Sequence, residues 1–120
     1  MDRPSTKQTG DLGEVLATKF LRELGMEIIE TNYRFERGEI DIIGREGNVL
    51  VFVEVKLRFN DAFGEAEYAV TLRKQRQLKR VAEGYYHEHE LRNQECRFDV
   101  VAIMMHDRKP EIRYYKNAFY

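Results

Sequence analysis

The chain has one cysteine, Cys96, and no tryptophan. A single thiol excludes an intrachain disulfide and any zinc cluster built on cysteines. The first ten residues, MDRPSTKQTG, have no apolar signal region, and no later run is long enough to cross a membrane. A cytoplasmic address without a membrane partner is therefore expected. Charge of one sign is missing too: 20 Lys and Arg stand against 21 Asp and Glu, a formal net charge of −1. No overall field attracts a polyanion, so such a partner has to be held by a local basic patch and by metal. There is no Walker-type lysine loop, no G-x-G-x-x-G, no G-x-S-x-G, no internal repeat and no low-complexity segment. Nor is there an evident covalent nucleophile, because Cys96 lies in a polar run without a histidine at a telling position. At 120 residues the chain is long enough for one core. The expected organisation is a flexible leader at 1–10 and a single domain over 11–120.

What is present centres on residues 38–56, GEIDIIGREGNVLVFVEVK. Gly47-Asn48 between two runs rich in Ile, Val and Phe predicts a β-hairpin. With Glu46 facing Val49, Asp41 falls opposite Glu54, and Glu39 opposite Lys56. Cross-strand partners hold their Cβ atoms about 4.5–5.5 Å apart, so two carboxylates stand side by side. Like charges about 4 Å apart repel by roughly 4 kcal/mol at an effective dielectric near 20. Either one carboxylate keeps a proton or a cation lies between them. Hard divalent ions such as Mg²⁺ take such oxygens together with waters and substrate phosphates. Lys56 adds a positive charge where an anionic transition state could be stabilised. The plain alternative is an exposed face with ion pairs from Glu39 to Lys56 and from Asp41 to Arg58. Against it, VLVFV is apolar on both faces, as an interior strand is. Glu54 thus ends a buried strand, where an unpaired carboxylate is costly.

The flanks supply the rest. Leu12, Val15, Leu16, Phe20 and Leu24 fall at helical spacing over 11–24, with Asp11 as N-cap and Gly25 as stop. Glu14 sits in the first turn of that helix, where an acid ordinarily complements the helix dipole. Residues 26–35 read as a strand. Residues 58–70 show no clean period and read as a loop folding over the acidic hairpin, with Phe59 and Phe63 pinning it. Thr71 caps a second helix reaching Glu88, with Leu72, Leu78, Val81, Ala82 and Tyr85 as its apolar face. Its first part, LRKQRQLKR, carries Arg73, Lys74, Arg76, Lys79 and Arg80 and no acid. Such a face is usually only solvated, but beside the hairpin it suits phosphates. His87 and His89 point about 200° apart on a helix and suit shared ligation poorly. His106 has no evident partner. Residues 98–105 form another buried strand, 107–110 a turn and EIRYY a closing edge strand. Three strands, a helical crossover and two more strands predict an α/β fold with a mixed sheet flanked by helices.

Asp41, then Glu54-Val55-Lys56, with an acid on an N-terminal helix, resembles the PD-(D/E)XK nuclease superfamily, which includes the archaeal Holliday junction resolvases. GE at 13–14, NYR at 32–34, GEIDII at 38–43, FVEVKLR at 52–58, Phe63-Gly64, Lys74, RFDVVAI at 97–103 and Asn117-Ala118-Phe119 resemble, in order, the YraN-like family (UPF0102-type). That resemblance covers nearly all of the chain after the leader. It implies a restriction-endonuclease-like fold, with a central mixed β-sheet flanked by α-helices. It also implies Mg²⁺ or Mn²⁺ held by Asp41, Glu54 and the Val55 carbonyl, with Glu14 completing the site. Lys56 would orient or activate the attacking water. Lys74 or Gln75 would match a supporting polar helix residue, and Arg58, Arg73, Lys74, Gln75, Arg76, Lys79 and Arg80 would face DNA. The superfamily pattern has proline before its first acid, where this chain has Ile40. Two activities stay open: a metal-dependent DNA endonuclease acting on branched or damaged DNA, and a non-cleaving nucleic-acid-binding or repair accessory module. Dimerisation, as in junction resolvases, stays open as well.

Overall fold

Alternating apolar residues at period two, broken by short turns, build five strands, and two helical stretches lie before and between them. The structure, a computed structural model, describes residues 6–59 and 70–119, with the backbone alone at 6–10. The order is α1 (Thr6–Glu23), β1 (Glu27–Phe35), β2 (Gly38–Glu46), β3 (Val49–Arg58), α2 (Leu72–Glu88), β4 (Cys96–His106) and β5 (Lys109–Phe119). The strands make one mixed sheet in sequence order, with β3 and β4 parallel and the other neighbours antiparallel. A parallel pair needs a crossover, and α2 supplies it. The class is the expected one: α/β, a mixed sheet between two helices, compatible with a restriction-endonuclease-like fold.

The central strand β3 carries the core on both faces. Leu50 and Phe52 pack towards α2 with Leu78, Val81, Ala82 and Tyr85. Val51 and Val53 pack towards α1 with Ala17, Leu21, Val101 and Ile103. By the same alternation Glu54 and Lys56 lie on the α2 face. Gly47, with φ +60, makes the β2–β3 turn, and the expected register holds from Glu46↔Val49 to Ile42↔Val53.

Beyond that point the pattern breaks. The β2–β3 ladder ends at Ile42↔Val53, and Glu39 pairs with Arg34 of β1. Ile40 and its partner Tyr33 pack on the α2 side, whereas Ile42 packs on the α1 side. The sheet therefore turns over between them, at Asp41 in β2 and at the facing Asn32 in β1, whose φ is +54.

Several expectations change. Helix α1 begins at Thr6, so Asp11 lies within it rather than at its cap, and at least residues 6–10 of the expected flexible leader are helical. Its buried stripe runs through Gly13, Ala17 and Leu21, while Val15 and Leu24 are exposed. A Cβ at Gly13 would meet Val55 at 3.4 Å and Leu57 at 3.5 Å, ordinary packing distances. Thr71 does cap α2, its hydroxyl accepting from the Lys74 N–H, but Leu72 is exposed. The last turn is only Asp107-Arg108, both at positive φ, and β5 extends on either side of EIRYY to Lys109 and Phe119. His106 does have a partner, Glu111, at 3.4 Å. The loop expected at 58–70, including Phe63, falls largely outside the described residues.

Candidate metal and phosphate site

Asp41 and Glu54 come together. Glu54 is only 8% exposed, at the buried end of β3, and its carboxylate shares a hydrogen bond with that of Asp41. Asp41 Oδ2 also accepts from the Val55 backbone N–H at 2.8 Å. That contact follows from the end of the ladder. Past Ile42↔Val53 the β2 backbone no longer serves β3, and the side chain of Asp41 takes the amide instead. Burial first, then the hydrogen bond and charge of Glu54, push the Asp41 carboxyl up to about 8, against the opposing pull of the Val55 amide and Lys74. The pair thus favours keeping a proton, one of the two ways for two such carboxylates to coexist.

A cation is also at hand. Lys74, in the first turn of α2, places Nζ 3.5 Å from Glu54 Oε2. Gln75, next to it, donates to the Val70 carbonyl at 2.9 Å and so braces the start of the helix. Lys56, half-buried on the same face as Glu54, lies beside Ala102 of β4. Arg58 is exposed at the end of β3 and donates to the Leu57 carbonyl.

Glu14 Oε2 accepts a short hydrogen bond from the side chain of Asn32, the β1 residue across from Asp41. Among the described residues no three acidic, histidine or cysteine side chains converge as a metal-binding group. The pair offers two carboxylates, hard oxygen donors that suit Mg²⁺ or Mn²⁺ completed by water and phosphate. His87 and His89 are exposed, and His89 stacks on Tyr85 with ring centroids 4.0 Å apart.

On α2, Arg73, Lys74, Arg76, Gln77 and Arg80, with Thr71, line a depression of about 470 Å³. Lys79 is half-buried and does not line it. A neighbouring depression of about 480 Å³ shares Gln77 and Arg80 and adds Arg37 and Glu36 from the β1–β2 turn.

Two contributions lay outside the sequence reading. The link from Asn32 to Glu14 joins β1 to α1, and its only trace was the NYR run. Asp99 is fully buried and takes both Oδ atoms to Arg97 Nε at 3.1 Å, with Tyr114 Oη at 2.5 Å and the Asn117 N–H at 2.8 Å. An acid at the head of an apolar run was its signal.

Among the described residues no helix is long and apolar enough to cross a membrane. A family profile described as "Uncharacterised protein family UPF0102" matches residues 13–103, which hold Glu14, Asp41, Glu54, Lys56 and the whole of α2. A UPF0102 protein of Geotalea daltonii is 46% identical over 94% of this chain and 90% of its own. One from Caldicellulosiruptor saccharolyticus is 44% identical over 94% and 98%, and one from Rhodococcus opacus 45% over 92% and 94%. The chain thus belongs to the UPF0102 family.

Proposed function

We propose that the protein is a divalent-metal-dependent nuclease of the PD-(D/E)XK type, hydrolysing phosphodiester bonds in DNA, branched or damaged DNA being the substrate to try first. One observation carries the reading: two carboxylates, one of them nine-tenths buried, hydrogen-bonded to each other beside a lysine. Asp41, Glu54 and the Val55 carbonyl would hold Mg²⁺ or Mn²⁺, and such an ion polarises a phosphoryl oxygen and lowers the pKa of a bound water. Lys56, on the same face, orients the attacking water and offsets charge developing on the phosphate. Lys74, now paired with Glu54, would be free to donate to a phosphate oxygen if that carboxylate held a metal instead. Glu14, tied to Asn32, steadies α1 against the strand that carries the turn-over at Asp41.

The same Lys74 contact favours a second reading. A proton on Asp41 and an ammonium on Glu54 already reconcile the pair, so a non-cleaving nucleic-acid-binding module could keep it without metal. Calorimetric titration of Mg²⁺ and Mn²⁺ into wild type and Asp41→Asn, with cleavage assays on duplex, single-stranded and four-way-junction DNA, separates the two. Metal binding lost in the variant, with metal-dependent cutting, is the expected result. DNA binding without any metal binding leaves the accessory module.

A further inference from the structure

The two depressions along α2 share Gln77 and Arg80, and their linings run from Lys74, the ion-pair partner of Glu54, to the β1–β2 turn. They take in Lys74, 3.5 Å from Glu54, then Arg73, Arg76 and Arg80, and Arg37 at the far end. Among the described residues the linings hold five cationic side chains (Arg37, Arg73, Lys74, Arg76, Arg80) against one acid, Glu36, although the chain as a whole is net negative by one. Arg37, Arg73, Arg76 and Arg80 are exposed and have no ion-pair partner among the described residues. Arg73, Arg76 and Arg80 recur at helical spacing on one face, spanning roughly 10 Å of helix axis at 1.5 Å per residue. That is about the rise of three nucleotides along one strand of a duplex, at 3.4 Å each.

The lining also says which form of nucleic acid fits. Sites for single strands pair a basic groove with aromatic rings on which bases stack. Among the described residues Phe35 is the single aromatic in the lining of either depression, and it is committed to the core: its ring lies where a Cβ on Gly84 would come within 2.4 Å. The described residues of this surface offer charge for phosphates and no platform for bases.

We propose that Arg73, Arg76, Arg80 and Arg37 form a track for the phosphate backbone of double-stranded nucleic acid, leading one strand to the Asp41–Glu54 pair. Arg37, outside α2 and in a turn, is the member that sets its far end, held near the helix where Gln77 Nε2 approaches the Arg37 carbonyl at 3.5 Å. The assignment rests on the nuclease reading only for its direction towards the acid pair. The phosphate contacts are independent of cleavage.

The test is binding of a fluorescent 20-base-pair duplex, as DNA and as RNA, and of the matching single strand, measured by anisotropy in EDTA across a salt series. Each neutralised phosphate contributes about 0.9 to the slope of log K against log salt. Arg37→Gln, Arg73→Gln, Arg76→Gln and Arg80→Gln should each flatten the duplex slope by about that amount and weaken binding roughly tenfold at 0.1 M salt. Arg37→Lys, which keeps the charge, should keep the slope, and Lys19→Gln on α1 should behave as wild type. A DNA or RNA preference identifies which backbone is the natural one. An unchanged slope in Arg37→Gln, tighter binding of the single strand, or no duplex binding by wild type overturns the track. Metal binding by the acid pair would survive any of these results, and loss of metal binding alone would leave the track intact.

Discussion

At the scale of the residue, Asp41 is the group whose charge the fold resists. Its carboxyl is pushed up from 3.8 to about 8 in the folded protein. Between those values the native state binds the proton more tightly than the unfolded chain, so stability falls as pH rises. The contribution is complete below about pH 4 and is lost as pH passes 8. In metal-free buffer, thermal melts should therefore show the wild type losing stability from pH 5 to pH 8.5. Asp41→Asn keeps an oxygen for the Val55 amide and carries no charge. Its melting temperature should be nearly flat over that range and higher than wild type at pH 8.5, by about 1–3 kcal/mol in stability, the scale on which buried polar groups are penalised. A wild type whose stability rises over the same range would refute the shared proton. Lys56 makes a different prediction. Lys56→Gln should bind metal as wild type does but cleave about 10²–10³-fold more slowly, because the charge removed matters to the transition state more than to the ground state. Loss of metal binding in that variant would mean that Lys56 shapes the site rather than serving the reaction.

At the scale of the element, the hairpin was legible because its information is local. Gly47-Asn48 fixes the turn and the alternation of VLVFV fixes the faces, and together they set the register as far as Ile42 opposite Val53. Helix α2 was equally legible, since Thr71 and the spacing of Leu78, Val81, Ala82 and Tyr85 are local signals. Three features were not. The burial of Gly13 and Ala17 rather than Val15 depends on how closely α1 lies on Val55 and Leu57, and spacing alone cannot reveal that distance. The turn-over at Asn32 and Asp41 exists only in the pairing of two strands. The partners of Asp99 come from β4 and β5, at separations of 2 to 18 residues. Gly84 shows the same dependence on tertiary contact. In an isolated helix Gly→Ala gains about 1 kcal/mol, but here a Cβ would come within 2.4 Å of the Phe35 ring. Gly84→Ala should therefore destabilise the protein by about 1–3 kcal/mol, as overpacked cores do, and lower the melting temperature by several degrees. A variant at least as stable as wild type would mean that Phe35 has room to move, which would also reopen it as a stacking platform on the basic path.

At the scale of the whole molecule, the sheet carries two buried acidic sites on opposite faces, one residue apart in register. Val53 pairs with Asp99, and Glu54 pairs with Val100. On the α1 face Asp99 meets Arg97, the Tyr114 hydroxyl and the Asn117 amide, and Arg97 reaches on to Glu46 at 3.1 Å. Every charge there is answered within the protein. On the α2 face Glu54 meets another carboxylate and Lys74, which is itself about two-fifths exposed. A chain that can satisfy a buried acid so fully on one face has no general inability to do so on the other. Where local consistency fails in an otherwise consistent fold, function is the usual reason. The two sites should accordingly separate by experiment. Asp99→Asn should cost about 3–5 kcal/mol, the range for breaking a buried ion pair, and leave the response to metal in place. Under the proposed reading, Mg²⁺ or Mn²⁺ at about 100 times its dissociation constant should stabilise wild type by about 2.7 kcal/mol at pH 8, and Asp99→Asn by a similar amount. Asp41→Asn should show no such gain. If instead the metal-induced shift vanished in Asp99→Asn and persisted in Asp41→Asn, the cation would belong to the α1 face, and the acid pair would be a feature of folding alone.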